Sequence, residues 1–227
     1  MAAIPQREKS LKDVVNSILP QCDMLNIYLN NWDHTPDFLL HPKIKVFRSE
    51  TAAGDLGDVG KFYAVEKLTG YIFTVDDDFI YPHDYAGRFI EAIEKHKRKA
   101  VISIHGRILA PNLSSYYRDY YKMFAACHHV PLDSWVHEIG TGVTAWHSDL
   151  IRVSLKMFPY SNMSDILLSM EFQRREIPML VISHQQHWLK GATRHDPAYG
   201  IYWTIKDNDQ WVTEYVNNFK WELRELK

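Results

Sequence analysis

A chain of 227 residues with 46% hydrophobic and 24% charged residues can bury one substantial core, and its composition is globular rather than disordered. A formal net charge of −2 argues against a dedicated nucleic-acid binder, which normally carries a strong basic surplus. Two cysteines, Cys22 and Cys127, give neither a disulfide framework nor a metal-ligand spacing. A soluble protein in a reducing, cytoplasmic setting is therefore expected, and no stretch approaches the ~20 apolar residues that span a bilayer.

In chain order, residues 1–5 are apolar and short for a first strand, as expected of a compact natural start or of a domain cut from a longer protein. Leu11, Val14, Val15, Ile18 and Leu19 recur at helical spacing and predict a helix over 9–19. Residues 25–30 alternate and read as a strand stopped by Asn30-Asn31, and 44–47 read as a third strand. The stretch from Gly54 to Ala64 carries glycines at positions 54, 57 and 60 followed by Lys61. Such a loop brings backbone close to a ligand and offers a cation to phosphate, or it is a flexible lead-in to a helix. It is not a Walker loop, because no Ser or Thr follows Lys61.

Residues 70–75 are apolar and β-branched, and they run straight into Asp76-Asp77-Asp78. Three adjacent carboxylates at the end of a buried strand raise one another's pKa, and a hard cation such as Mg²⁺ or Mn²⁺ relieves the repulsion. Ligands also gather outside the carboxyl ends of strands in open α/β sheets. Beyond this, 84–95 predict an amphipathic helix ending in the basic run 95–99, read as a solvated helix end. Residues 100–106 predict a buried strand. The stretch 114–130, with Tyr116, Tyr117, Tyr120, Tyr121 and Phe124, is read as a helix packing aromatics on the sheet, some of them free to contact a ligand. Residues 135–147 are strand-like and contain Gly140 and Gly142, where backbone can lie against a ligand. Residues 164–175 predict a helix, 177–184 a strand and 209–226 a closing amphipathic helix. Alternating strands and helices imply one α/β domain over 1–227, with a Rossmann-like, mostly parallel central sheet flanked by helices.

Val75-Asp76-Asp77-Asp78 followed by Tyr81-Pro82 and Asp84-Tyr85 resembles the acidic motif of GT-A glycosyltransferases, most nearly the inverting family 2 type. The order of the other segments over roughly 1–190 resembles the same family. The resemblance implies a nucleotide-sugar donor, with UDP favoured, and a glycan or glycolipid acceptor. Ile4, Pro5 and Arg7 would lie by the donor's base, Asn30, ending the second strand, would also bind the donor, and Asp55, Asp58 and Lys61 would lie by its base and phosphates. Asp76 would hold the ribose or its neighbourhood, with Asp77 beside it, and Asp78, with Asp77 as the alternative, would bind Mn²⁺ or Mg²⁺. Gly140 and Gly142 would line the sugar, and Asp165 would be the general base. A histidine further along would complete the metal set, with His187, His184 and His195 all open. The family carries an acidic pair where this chain has Ser164-Asp165, so only Asp165 carries over. A nucleotidyltransferase, a retaining transferase and a non-catalytic carbohydrate- or partner-binding domain stay open as alternatives. No nucleic-acid partner is expected, and a glycolipid acceptor would place the chain at the inner face of a membrane as a peripheral protein.

Overall fold

Consecutive residues of the inner strands enter two different cores, so the sheet is buried on both faces. The computed structural model describes residues 1–192, 200–201 and 206–226. Ala2–Ala3 (β1), Leu25–Leu29 (β2) and Ile44–Arg48 (β3) form a three-stranded sheet in that order, parallel throughout. The next strands are Tyr71–Val75 (β4), Phe79–Ile80 (β5), Val101–Ser103 (β6), Gly106–Leu109 (β7), Tyr120–Phe124 (β8), Ser134–Val136 (β9), Glu138–Ile139 (β10), Val143–His147 (β11), Met179–Val181 (β12) and Lys190–Gly191 (β13). Of these, β4-β11-β6-β12-β9 make a five-stranded sheet, β10-β7-β8 a small antiparallel one, and β13-β5 a short antiparallel pair.

In the five-stranded sheet Ile102, Ala145 and Leu180 enter one core, while Val101, Trp146, Met179 and Val181 enter the other. The first core is closed by Glu8–Ile18 (α1) and Tyr85–Lys95 (α2). Leu11, Val14, Val15 and Ile18 of α1 are buried at helical spacing, each worth about 1.5–3 kcal/mol. Pro20 ends this run, because its ring cannot continue the hydrogen-bond ladder, and a 3₁₀ turn at Leu19–Gln21 follows. The second core is closed by Ser164–Arg174 (α3) and by Val212 and Val216 of Gln210–Asn217 (α4). The chain is thus mixed α/β, with helices on both faces of the sheet.

Several expectations are corrected. The central sheet is not mostly parallel: β6–β12 is parallel, while β4–β11, β11–β6 and β12–β9 are antiparallel. The segment Gly140–Gly142 returns the chain from β10 to β11 without a crossover helix, so β11 enters against its neighbours. The stretch 114–130 is no helix in its middle; Tyr120–Phe124 is β8, paired with β7. Its aromatic residues satisfy strand alternation as readily as a helical stripe, and pairing with β7 decided between them. The closing helix stops at Asn217. The chain after it is irregular, with Gln173 bonded to the Glu222 backbone. The basic run does end a helix: Lys97 and Arg98 adopt positive φ just past α2, and Arg98 pairs with Glu94. Among the described residues no helix is long and apolar enough to cross a membrane.

Candidate active site

β4 and β6 both run antiparallel to β11, so they point the same way, and β12 is parallel to β6. The carboxyl ends of β4, β6 and β12 therefore share one edge with the amino end of β11. The chain leaves that edge as Asp76-Asp77-Asp78 after β4 and as Ile104-His105 after β6, and it arrives there through Gly140-Thr141-Gly142. Val143 pairs with Val75, which sets Gly142 beside Asp76. A Cβ on Gly142 would lie 2.0 Å from Asp76 Oδ2, so only glycine leaves room for that carboxylate.

A cavity of about 690 Å³ opens over this edge. Each acid of the triplet has a protein cation beside it. Lys61 donates to Asp76, and Arg7 lies 2.5 Å from Asp77 Oδ1 and 3.4 Å from Asp78 Oδ2. The repulsion that the sequence assigned to a metal is thus relieved in part by Arg7, delivered from the 3₁₀ turn Pro5–Arg7 after β1, and by Lys61, delivered from the 3₁₀ helix Gly57–Phe62. Burial opposes the charge on Lys61, but Asp76, Asp58 and Asp165 outweigh it and raise its pKa. Burial pushes the Asp77 carboxyl up, with Arg7 pulling back. Asp77 is almost closed off, whereas Asp76 and Asp78 keep part of their surface open.

Asp165 stands in the first turn of α3, where the helix dipole favours a negative charge. Its Oδ1 accepts from the Thr141 N–H at 2.7 Å and the Thr141 hydroxyl at 2.6 Å. One oxygen is fixed and the other is left for the cavity that Asp165 lines. The start of α3 is held from outside by Asp58, which accepts from the Asn162 N–H at 2.6 Å, the Ser164 N–H at 3.0 Å and the Ser164 hydroxyl. Burial raises the Asp58 carboxyl, opposed by Lys61 and these donors.

The cavity brings together Ile4, Arg7, Asn30, Asp55, Asp58, Lys61, Asp76, Asp77, Asp78 and Asp165 of the expected residues. Pro5, Gly140, Gly142, His184 and His187 are not on its wall. Asn30 works on the protein itself: its amide donates to the Gly57 carbonyl at 2.8 Å and accepts from the Leu56 N–H at 3.0 Å, holding the glycine loop. Asp55 likewise accepts from Asn31 and from the Gly57 N–H. Gly140 and Gly142 stand behind His105 and Asp76 rather than facing the cavity. His184 is buried with Nδ1 2.9 Å from the Ile182 carbonyl, and His187 is exposed beside Gln186. Neither is positioned as a third ligand, because β12 ends before them and turns both toward the Val130 bridge and Cys127. His195 lies outside the described residues.

The wall also holds residues the sequence reading left out or left open: His105, Arg107, Tyr116, Tyr117, Thr141 and Asn162. Arg107 is buried 2.9 Å from Glu138, donates to the Tyr116 carbonyl at 3.0 Å and to its hydroxyl, and lies over the Tyr116 ring at 4.1 Å. The Tyr116 hydroxyl also bonds Glu138. His105 and Arg107 follow β6 as the triplet follows β4, so the same rule about strand ends pointed to them. No protein-family model and no curated protein matches this chain.

Proposed function

We propose that this chain is a metal-dependent glycosyltransferase of the GT-A type, moving a sugar from a nucleoside-diphosphate donor, UDP-linked, to a hydroxyl of a glycan or glycolipid with inversion. The observation that carries the reading is convergence. Asp76, Asp78, Lys61 and Asp165, from three separate segments, line one cavity at the carboxyl edge of the sheet, and Asp165 keeps one oxygen fixed and one open. A carboxylate so held is equipped to take the proton of an attacking hydroxyl.

The donor set fits a hard divalent cation. The side chains of Asp76 and Asp78 keep part of their surface open, and among the described residues the cavity wall carries six carboxylates against Arg7, Lys61 and Arg107. A diphosphate entering such a surplus of negative charge is repelled unless a cation accompanies it. Among the described residues no group of three His, Cys, Asp or Glu side chains converges as a metal cage. One or two carboxylates completed by substrate phosphates and water is how Mg²⁺ is usually held. Asp78, with Asp76 beside it, would hold the ion; Asp77, closed under Arg7, fits that role less well. When bound, Mg²⁺ or Mn²⁺ would neutralise the diphosphate and stabilise charge on the departing nucleotide. A glycolipid acceptor would bring the enzyme to the cytoplasmic face of a membrane.

Thermal melting with UDP, GDP, CDP and ADP, each with Mn²⁺ and with chelator, tests the reading. A metal-dependent rise with UDP is expected, since a ligand that binds only the folded state stabilises it. A rise with a different nucleotide would replace the donor's base, and no rise with any would favour a binding domain that holds no nucleotide.

A further inference from the structure

His105 is placed as deliberately as Asp165. The two are held by consecutive residues of one segment: the Gly140 N–H donates to the His105 carbonyl at 3.0 Å, and the Thr141 N–H donates to Asp165 at 2.7 Å. The His105 ring lies across Gly140, where a Cβ would come within 2.6 Å of Cδ2 and 3.1 Å of Cβ and Cγ. Glycine at 140 is therefore what lets this ring sit at the edge of the sheet. The His105 backbone is fixed as well, its N–H and carbonyl both engaged by the Ser103 hydroxyl at 3.2 and 2.9 Å.

While the main chain is clamped, the ring is not. No side-chain hydrogen bond ties its nitrogens to the described residues, and the half-buried ring lines the same cavity as Asp165. Packing alone does not call for an imidazole with its nitrogens left to the cavity. Burial, offset in part by Asp165 and reinforced by Arg107, lowers its pKa to about 4. At neutral pH it is an uncharged ring with one donor and one acceptor nitrogen. The neighbouring Arg107 is taken by Glu138 and Tyr116, whereas His105 is an open polar group on the wall that Asp165 also lines.

We propose that His105 contacts the reacting hydroxyl, hydrogen-bonding and orienting it while Asp165 removes its proton, and that Gly140 is glycine to admit the ring. The inference rests on the transferase reading. In the step, the hydroxyl oxygen bonds the anomeric carbon and its proton passes to Asp165. The bond from that carbon to the β-phosphate oxygen breaks, and its electron pair leaves with the nucleoside diphosphate. Water takes the place of the acceptor when none is present, so hydrolysis of the donor reports on the same contact.

The experiment measures UDP release from UDP-glucose, UDP-galactose and UDP-N-acetylglucosamine with Mn²⁺. It compares the native chain with His105→Ala, His105→Gln and Gly140→Ala, and follows UDP-dependent melting in each. His105→Ala and Gly140→Ala are expected to lower UDP release at least tenfold with the UDP-induced melting shift unchanged, and His105→Gln, which keeps a donor and an acceptor, to recover part of it. Release at the native rate in His105→Ala, or a parallel loss of the melting shift and release in both His105 variants, would overturn the contact while leaving the transferase reading in place. No UDP release and no UDP-induced shift in the native chain would overturn both.

Discussion

Two ionic clusters meet at this cavity, and they differ in what they leave open. Around Asp76, Asp77 and Asp78, carboxylates outnumber the cations Arg7 and Lys61 among the described residues, and the side chains of Asp76 and Asp78 stay 33% and 21% exposed. Around Glu138, a single carboxylate faces a single guanidinium, with the two side chains 2% and 9% exposed and the Tyr116 ring completing the stack. The first keeps part of its carboxylate surface open, which is useful for recruiting a cation and its phosphate. The second is balanced and closed, and a pair of that kind shapes the wall it supports. Charge that folding leaves open to a cavity is a better guide to a ligand than charge alone.

The sharpest way to break this contrast is at Asp165, on the open side. Asp165→Asn is expected to cut transfer or donor hydrolysis by about 100-fold or more, the usual share of a general base, with UDP-dependent melting kept. Equal loss of both would remove the role of base. On the closed side, Glu138→Ala strands a buried guanidinium and is expected to lower stability by about 3–5 kcal/mol in chemical denaturation. A double replacement, Arg107→Met with Glu138→Leu, should regain much of that loss; if the single change proves neutral, the cluster is not a structural pair.

A smaller effect is expected at Asp78→Asn, which should abolish the Mn²⁺-dependent part of the UDP melting shift while moving the midpoint of the nucleotide-free protein by little. Retention of that part would transfer the metal to Asp76. A last effect concerns pH. His105 has its pKa lowered to about 4 by burial, so the unfolded chain binds its proton first as pH falls. Stability should decline from about pH 6.5 down to pH 4 and gain nothing from this group above that window. His105→Gln should flatten this stretch of the stability curve, and an unchanged slope would show that the ring titrates alike in both states.

Local pattern reached far in some segments and failed in others for a physical reason. The helix spacing of Leu11, Val14, Val15 and Ile18 and the strand ending in Asp76 were legible, because one amphipathic face or one buried run is a property of contiguous residues. Tyr116 to Phe124 was misread, since rows of aromatics fit either period until a partner strand is known. The two glycines near β11 were legible as close approaches, but not what approaches them: His105 and Asp76 arrive from other strands. His184 and His187 as metal ligands are what the family resemblance implies, and chain direction after β12 carries both off the cavity wall.

By itself the sequence determined the two-faced α/β layering, the acidic triplet at a strand end and the carboxylate at the start of α3, all written in neighbouring residues. Tertiary structure decided the rest. The pairing of β11 antiparallel to both β4 and β6 brings the exits of those strands to one edge. Only there do Arg7, Lys61, His105, Asp165 and the triplet, up to about 160 positions apart in the chain, become a single cavity. Charge balance and hydrogen bonding depend on distance in space, and those distances are fixed by strand register rather than by any local run of residues.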